Sequence, residues 1–480
     1  MTYHFPPATA VGGIRPAKFA KFLPLFGWQP VVLTIPSNRS NLSHSDGSHD
    51  PPSGTIVRTK PWTTPLEAAL AAKRFLVESL SHPFARADQP YSSGASPAYY
   101  PPTLAQAGLR ATLSRYSSAL FEVPDKEVGW LFPAVLKGFS VIRKENIDLI
   151  LTTSPPFTAA TVGLLLCRLT GKPLITDLRD PWNLHDGKPP AARTRLSDCV
   201  ERWLERAITL RSARILTTTE QYTRHLRTLY PDLPRDTFLT IPNGYDLEDF
   251  TSLGDVRNET GKFTLSYLGT FYYGRTPREL LAALGELLRE GEIPRSTVHV
   301  SFFGDVEFAE GIPVQDMIES NGLTGCVTLG REIPYREALI QMLRSDVLLL
   351  FAPHQPLQIP GKAFEYLAAQ RHILCLSDDG ATADLIKSTA TGYVVKPHDV
   401  AGLKRAIREL YGKWKSTRRF ELSVEAAMFD RRNLTQQLSS IFDVVVTQGN
   451  PRHPHGCPST HRMKTAIPLA ARRCSPSKRN

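Results

Sequence analysis

The sequence lacks the residue spacings that mark most metal and disulfide sites. Its 480 residues include six cysteines, none in a Cys-x-x-Cys pair, and thirteen histidines without a His-x-x-x-His pair. Scattered cysteines of this kind are typical of core thiols in a reduced, cytoplasmic protein. We therefore expect no disulfide framework and no bound metal.

Long apolar runs are also scarce. The longest, near residues 161–169, is interrupted by Gly and Arg and is shorter than the roughly 20 residues that span a bilayer. Residues 1–10 have neither a basic start nor an apolar core, so we expect no signal peptide. A cytoplasmic protein without a membrane span is predicted, and a peripheral contact with the inner face of a membrane is compatible with it.

The net charge of +11 does not indicate nucleic-acid binding. The last 30 residues carry seven Lys or Arg and no Asp or Glu, which leaves +4 for the first 450 residues. No basic stripe interleaved with aromatic residues is present, and no helix-turn-helix or zinc-finger spacing. We expect residues 449–480 to form a disordered basic tail, because they are polar and have no hydrophobic period.

Apolar strands alternate with amphipathic helices along the chain, which predicts an α/β protein with two tandem, doubly wound, Rossmann-like domains. The expected divisions are a first domain at 1–250 with long loops at 36–60 and 83–105, a second domain at 258–415, and terminal helices at 416–448. Between the two loops, residues 66–80 are predicted to be helical. The first domain begins with a Gly-rich loop and a helix, so its first strand is expected to be missing.

Polar and glycine residues collect where the predicted strands end, which is where open α/β sheets bind ligands. They are Gly12-Gly13, Ser154-Pro155-Pro156, Asp177 to Trp182, Asn243-Gly244, Gly269 to Arg275, Gly304-Asp305 and Pro360 to Glu365. A tight turn or a helix start explains each of them alone. Their recurrence at seven strand ends predicts a cleft lined by both domains.

The most informative of these segments, Pro360 to Ala369, follows the apolar strand Val347 to Phe351 and opens a helix. Backbone N–H groups and the positive end of the helix dipole would face a ligand there. Lys362 can meet a phosphate as a point charge, and Glu365 can accept hydrogen bonds from sugar hydroxyls. The pair predicts a nucleotide diphosphate-sugar site, although an ordinary helix start explains the ten residues equally well.

The motifs together resemble those of retaining family 4 glycosyltransferases, which have the two-domain GT-B fold, and in particular bacterial members that build surface polysaccharides. The resemblance covers about residues 3–445. It is carried by Tyr3-x-Phe5-Pro6-Pro7 with Gly12-Gly13, Pro124-Asp125 with Gly129-Trp130, Thr153 to Pro156, Asp177 to Trp182, Pro242 to Asp246, Tyr267 to Thr270, and Lys362-x-x-Glu365-Tyr366-Leu367-Ala368.

The resemblance implies a role for each matching residue. The implied donor site consists of Arg275 and Lys362 at the diphosphate, Glu365 at the ribose hydroxyls, and Gly269 and Thr270. The implied catalytic residues are Arg179 and Asp180, and the glycine loop facing the phosphates or the acceptor is Gly12 and Gly13. No metal is implied, since Lys, Arg and helix ends can stabilise a leaving diphosphate.

Two positions depart from the family pattern, because Leu357 stands where relatives often carry a first Glu and Leu280 where they carry a second cation. Three functions stay open: sugar transfer with retention to a glycan or polyprenyl-linked acceptor, a GT-B sugar-nucleotide epimerase, and a truncated, inactive nucleotide-binding protein. A lipid-linked acceptor would need a basic or apolar patch. Residues 110–120 and 193–211 are candidates for it, and ordinary helix packing also explains both.

Overall fold

The structure is a computed structural model that describes residues 1–7, 11–36, 54–64, 123–182, 194–258, 260–272, 274–416 and 424–448. The predicted helix at 66–80, the loop at 83–105, the candidate segment 110–120 and the tail at 449–480 lie outside these ranges. No helix of the described ranges is both long enough and apolar enough to cross a bilayer.

The first domain is built on parallel strands. Strands β3 (Ile150–Ser154), β4 (Leu174–Leu178), β5 (Arg214–Thr217) and β6 (Phe238–Thr240) form one sheet in that order, and β1 (Val31–Thr34) pairs with β2 (Thr55–Arg58). Buried side chains line both faces of β4 and β5, as expected of a sheet covered by helices on both sides.

Residues at the start of the chain lie between these two groups of strands. The Thr2 N–H donates to the Leu33 carbonyl of β1 at 3.2 Å, and the Thr153 N–H of β3 donates to the Met1 carbonyl at 3.2 Å. Met1 to Tyr3 therefore occupy the position of the first strand of a doubly wound sheet, although no strand is assigned to them.

One predicted loop contains a strand. The segment 36–60 is interpreted from its sequence as a long loop, but Thr55–Arg58 pairs in register with Val31–Thr34. Ile56 and Val57 are β-branched and favour the extended backbone. The Arg58 guanidinium donates to the carbonyls of Ile35 at 2.9 Å and Pro6 at 2.6 Å, which fixes the strand to the sheet edge.

Helices cover both faces of the first sheet. They are α1 (Ile14–Phe22), α2 (Leu131–Lys144), α3 (Thr158–Thr170), α4 (Arg195–Arg211), α5 (Glu220–Leu229) and α6 (Leu247–Thr251). The helices α2, α3 and α4 lie side by side, with α3 in the middle. Helix α2 has no counterpart among the elements predicted from the sequence.

The second domain contains a six-stranded parallel sheet in the order β11-β8-β7-β12-β13-β14. The strands of this domain are β7 (Phe263–Leu268), β8 (Val298–Phe303), the short pair β9 (Phe308–Ala309) and β10 (Ile312–Pro313), β11 (Val327–Gly330), β12 (Val347–Ala352), β13 (His372–Ser377) and β14 (Gly392–Val395). Numbered within the sheet, the order is 3-2-1-4-5-6, that of a dinucleotide-binding Rossmann domain. The predicted fold class is confirmed.

Helices flank this sheet and then return to the first domain. They are α7 (Arg278–Arg289), α8 (Val314–Ser320), α9 (Tyr335–Arg344), α10 (Lys362–Ala368), α11 (Ala381–Ser388), α12 (Val400–Ser416), α13 (Val424–Ala427) and α14 (Arg431–Gln448). Helix α14 packs on α1, and its Phe442 ring meets Trp28, which lies between α1 and β1, edge-on at 5.1 Å. The last helix therefore ties the two domains together.

A buried ion pair fixes α1 to the sheet. The Arg15 guanidinium contacts the Asp177 carboxylate at 2.9 and 3.0 Å, and the side chains are 3% and 1% exposed. The remaining guanidinium protons reach the carbonyls of Ile241 at 2.8 Å and Pro242 at 2.6 Å. Because the loop Gly12-Gly13 directly precedes α1, this pair also sets the position of that loop.

We expect Arg15→Ala to lower the free energy of unfolding by about 3–5 kcal/mol, because it leaves the Asp177 carboxylate buried without a counter-charge. Urea denaturation followed by circular dichroism measures the loss. The matched control is Arg289→Ala, an exposed arginine, for which a change within about 0.5 kcal/mol is expected. Equal losses in the two variants would contradict a stabilising role for the pair.

Candidate functional site

The predicted donor residues meet at the switch point of the second sheet. Strands β7 and β12 are neighbours there, and their helices leave in opposite directions, so a crevice opens at their carboxyl ends. Gly269 and Thr270 follow β7, and Lys362 begins the helix after β12. The structure thus brings together residues almost 100 positions apart in the chain.

Lys362 is held against the end of β7 by neutral groups. Its ammonium donates to the Leu268 carbonyl at 2.6 Å and lies 4.2 Å from the centroid of the Tyr267 ring. Gly269 has φ +150°, and a Cβ there would collide with the Lys362 ammonium. The close approach of lysine to backbone therefore requires glycine at this position.

A second cation faces Lys362. Arg275 is 6% exposed, its guanidinium lies 4.3 Å from the Tyr272 ring centroid, and it donates to the Gln355 amide oxygen at 3.1 Å. Its Nε is buried without a hydrogen-bond partner in the described part of the chain. Burial, followed by repulsion from Arg275, lowers the pKa of Lys362 to about 7. The two cations form a site that an anion would stabilise.

Glu365 lies one helical turn beyond Lys362, and burial raises its pKa. Arg431, 8% exposed and at the start of α14, opposes that rise, as does a hydrogen bond with Tyr335. The same Tyr335 hydroxyl lies 3.3 Å from the Asp249 carboxylate, so its one proton is shared between the two acids. Arg431 and Tyr335 were not predicted from the sequence, because both reach the site from distant segments without a local motif.

Arg179 supports the glycine loop of the first domain. Its guanidinium donates to the carbonyls of Gly12 at 2.6 Å, Ser154 at 3.3 Å and Pro155. A Cβ on Gly12 would approach the guanidinium to 3.1 Å, and one on Gly13 would approach the His4 carbonyl to 3.3 Å. The loop and Arg179 therefore fit together only with small residues. A catalytic role for Arg179 stays a prediction.

His4 beside this loop was not singled out in the sequence. Burial, together with the positive charges of Arg179 and Lys126, lowers its pKa, which keeps the imidazole neutral near pH 7. A neutral imidazole next to the glycine loop could exchange a hydrogen bond with a hydroxyl group.

Asp180 connects the two domains. It accepts a hydrogen bond at 2.7 Å from the Gln358 amide, which lies in the loop between β12 and α10. In the same loop, the Leu357 carbonyl accepts from the Thr219 hydroxyl at 2.6 Å. The Leu357 side chain, at the position of the family's first Glu, packs on the apolar cluster of the first domain. This loop thus joins the donor residues to Asp180.

No group of three or more His, Cys, Asp or Glu side chains in the described ranges is placed to hold a metal ion. Positive charge at the site comes from Arg275 and Lys362 instead. Helix α10 has only seven residues, so its dipole contributes little beside two full charges.

Comparison with known proteins identifies the first domain. The family described as glycosyl transferase 4-like domain matches residues 55–244. The predicted resemblance to family 4 glycosyltransferases is confirmed, and the chain carries a glycosyltransferase domain. A search of curated protein sequences finds no match.

Solved structures share the whole fold. A glycosyltransferase from Rickettsia africae is 12% identical, with 93% of this chain and 99% of that chain covered and a TM-score of 0.58. Sucrose-phosphate synthase from Thermosynechococcus elongatus is 15% identical, with 90% and 92% covered and a TM-score of 0.58. Anabaena HepE in complex with UDP and glucose is 14% identical, with 92% and 98% covered and a TM-score of 0.56. These likenesses show the GT-B fold.

The lowered pKa of Lys362 gives anion binding a pH dependence. A bound diphosphate favours the protonated ammonium, so affinity should fall about tenfold for each pH unit above about 7. We expect the calorimetric dissociation constant of UDP, GDP, ADP or dTDP, whichever binds, to show this slope between pH 7 and 9.

The control for this pH dependence is Lys362→Met, which should bind weakly and without a slope. Without ligand, the free energy of unfolding of the wild type should rise relative to that of Lys362→Met as pH increases above about 7. Above that pH, Lys362 is protonated in the unfolded state and neutral in the folded state. A wild-type affinity independent of pH would contradict a lowered lysine pKa.

Proposed function

We propose that the protein transfers a sugar from a nucleotide diphosphate-sugar to a glycan or polyprenyl-linked acceptor with retention of configuration, in bacterial surface-polysaccharide synthesis. The observation that carries the proposal is the pair of cations at the switch point of the second domain, Arg275, which is buried, and Lys362, which is half-buried. An anion with two adjacent phosphate groups matches two adjacent positive charges. The fold match to HepE, a structure that holds UDP and glucose, supports a nucleotide-sugar donor.

Glu365 would accept hydrogen bonds from the ribose hydroxyls of the donor. It lies one turn from Lys362 on the same helix, so the ribose and the diphosphate would meet neighbouring side chains. Gly269 and Thr270 would lie near the diphosphate, because Gly269 lets the Lys362 ammonium reach the end of β7 beside them.

The acceptor would bind at the first domain, near Gly12, Gly13 and Asp180. Its hydroxyl oxygen would attack the anomeric carbon on the face that the diphosphate leaves, as the bond from that carbon to the phosphate oxygen breaks. The hydroxyl proton would pass to the departing phosphate oxygen. Arg275 and Lys362 would stabilise the charge that develops on the diphosphate, without a metal ion.

The position of Leu357 favours this direct route. A leucine at the family's first acidic position offers no carboxylate to the transferred sugar, and its side chain is packed in the apolar cluster of the first domain. The protein would act in the cytoplasm, at the inner face of the membrane where its acceptor is lipid-linked.

The donor site is tested by thermal-shift titration with UDP, GDP, ADP and dTDP. One nucleotide, at about 100 times its dissociation constant, should stabilise the wild type by roughly 2.7 kcal/mol. Glu365→Ala should lose most of this shift, because the ribose contact is removed. The matched control is Glu337→Ala, an exposed glutamate on α9, which should keep the full shift. A cooperatively melting wild type without any shift would refute the donor site.

The reaction is tested by its product. With the nucleotide-sugars of the base that binds, and with EDTA present, we expect a sugar transferred to a glycan or polyprenyl diphosphate-linked acceptor in the donor's own anomeric configuration. Proton NMR of the new linkage measures the configuration. A free, isomerised sugar nucleotide would instead identify an epimerase, and full loss of transfer in EDTA with recovery on adding Mg²⁺ would refute metal independence.

A further inference from the structure

Three neighbouring helices of the first domain expose a surface of one charge sign. The exposed side chains of α2, α3 and α4 include seven cations, which are Lys137, Arg143, Lys144, Arg168, Arg195, Arg202 and Arg206. Helices α2 and α4 flank α3, and α3 is fully exposed only at Arg168 and Leu169 in its last turn, so the exposed cations lie mainly along α2 and α4. We call this surface the α2–α4 face.

The carboxylates of the same helices point inward. Glu201 and Glu205 on α4 are 7% and 4% exposed, and the third carboxylate, Asp198, is partly buried. Helix α4 therefore reverses the usual arrangement, in which acids lie at the surface. Lys144 pairs at 3.7 Å with Glu145, which directly follows α2, and no fully exposed carboxylate of the three helices offsets the other six cations.

Large apolar side chains are exposed among these cations. Phe132 is 63% exposed, Trp203 is 58% exposed, and Trp62 stacks on Phe132 with 6.2 Å between ring centroids. The other exposed apolar residues of the face are Leu136, Leu169, Leu196 and Leu210. A run of exposed aromatic and leucine side chains of this size marks an interaction surface.

The α2–α4 face adjoins the candidate site. Helices that connect parallel strands begin at the carboxyl edge of the sheet, so Leu196 at the start of α4 lies at the edge that carries Asp180. Trp62 and Phe132 lie at the corresponding end of α2, because Trp62 pairs through its backbone with Gly129 just before that helix.

We propose that the α2–α4 face docks onto an anionic lipid surface, with Trp62, Phe132 and Trp203 entering the interface and the arginines and lysines meeting lipid phosphates. Helices that lie at a membrane interface typically combine arginine and lysine with exposed tryptophan and leucine. A nucleic acid would match the cations and leave the leucine side chains in water, so charge and apolar area together favour the bilayer.

This inference rests on the proposed function, because docking would place the acceptor side of the site beside a lipid-linked acceptor. It is tested without catalysis: sedimentation with vesicles does not depend on a donor, and the nucleotide thermal shift does not depend on vesicles. A failed donor site and a failed docking surface therefore give different results.

The experiment is co-sedimentation of the full chain with vesicles of phosphatidylcholine alone or mixed equally with phosphatidylglycerol. We expect binding to the anionic vesicles, weakened by added salt, and little to the neutral ones. The triple variant Arg202→Gln, Trp203→Ser, Arg206→Gln should partition at least about 30-fold less, from the loss of two interfacial charges alone.

The matched control removes two arginines and one aromatic ring from the second domain, as Arg289→Gln, Phe308→Ser, Arg344→Gln, which are all exposed. It should bind anionic vesicles within about twofold of wild type, and both variants should keep the wild-type melting temperature. Equal binding by the two variants would overturn the proposal. Retention of duplex RNA without retention of vesicles would overturn it as well, in favour of a nucleic-acid partner.

Discussion

The second domain is arranged around one constraint. Two cations lie side by side in a buried site. Within the described ranges, Lys362 and Arg275 contact neutral groups directly: the Leu268 carbonyl, two tyrosine rings and the Gln355 amide. Neutral partners do not cancel the charges, so burial and then repulsion from Arg275 lower the pKa of Lys362, and the two cations attract an anion. The backbone at the ends of two neighbouring strands also fits this pair of cations. Gly269 has to be glycine to admit the ammonium, and a Cβ on Gly304 would collide with the Gly269 carbonyl. Two strand ends are therefore shaped around a single lysine.

The loop between β12 and α10 transmits this arrangement to the first domain. Gln355 binds Arg275, Gln358 binds Asp180, and Leu357 between them packs into the cluster that contains Trp182 and Tyr222. Any movement of the two domains relative to each other has to break the Gln358 hydrogen bond and withdraw Leu357 from that cluster. A donor that binds Arg275 would therefore contact the partner of Gln355, in the same loop that holds the domains together. Leu357, where the resemblance implies an acid, is used here as an apolar contact between the domains.

The part of the site that lies within a few residues of one strand end could be predicted from the sequence. Lys362 and Glu365 stand in one helical turn after an apolar strand, and the structure places them as that pattern indicates. Arg431 and Tyr335 could not be predicted, because they approach Glu365 from segments about 66 and 30 positions away and no local pattern marks them.

The fold likewise divides into elements with a local sequence pattern and elements that depend on distant contacts. Strands such as Phe263–Leu268 follow from their apolar runs, whereas Thr55–Arg58 was missed because its pairing with Val31–Thr34 lies in tertiary structure, inside a segment rich in Ser and Pro. The resemblance implies a catalytic role for Arg179, whereas in the structure its guanidinium donates to three backbone carbonyls.

Positive charge is used in two physically different ways on this chain. At the buried Arg275 and the half-buried Lys362, a single anion would be bound at short range, salt would screen the interaction little, and a proton would be taken up when the site fills. On the α2–α4 face it is exposed, so each cation keeps its ordinary hydration, attraction is diffuse, and salt screens it within about 10 Å. Glu201 and Glu205 are buried, and this keeps the α2–α4 face positive. Exposed carboxylates at those two positions would neutralise its cations. Burying both acids raises the pKa of Glu205 to about 7. The positive sign of the α4 surface is therefore kept at the cost of burying two carboxylates.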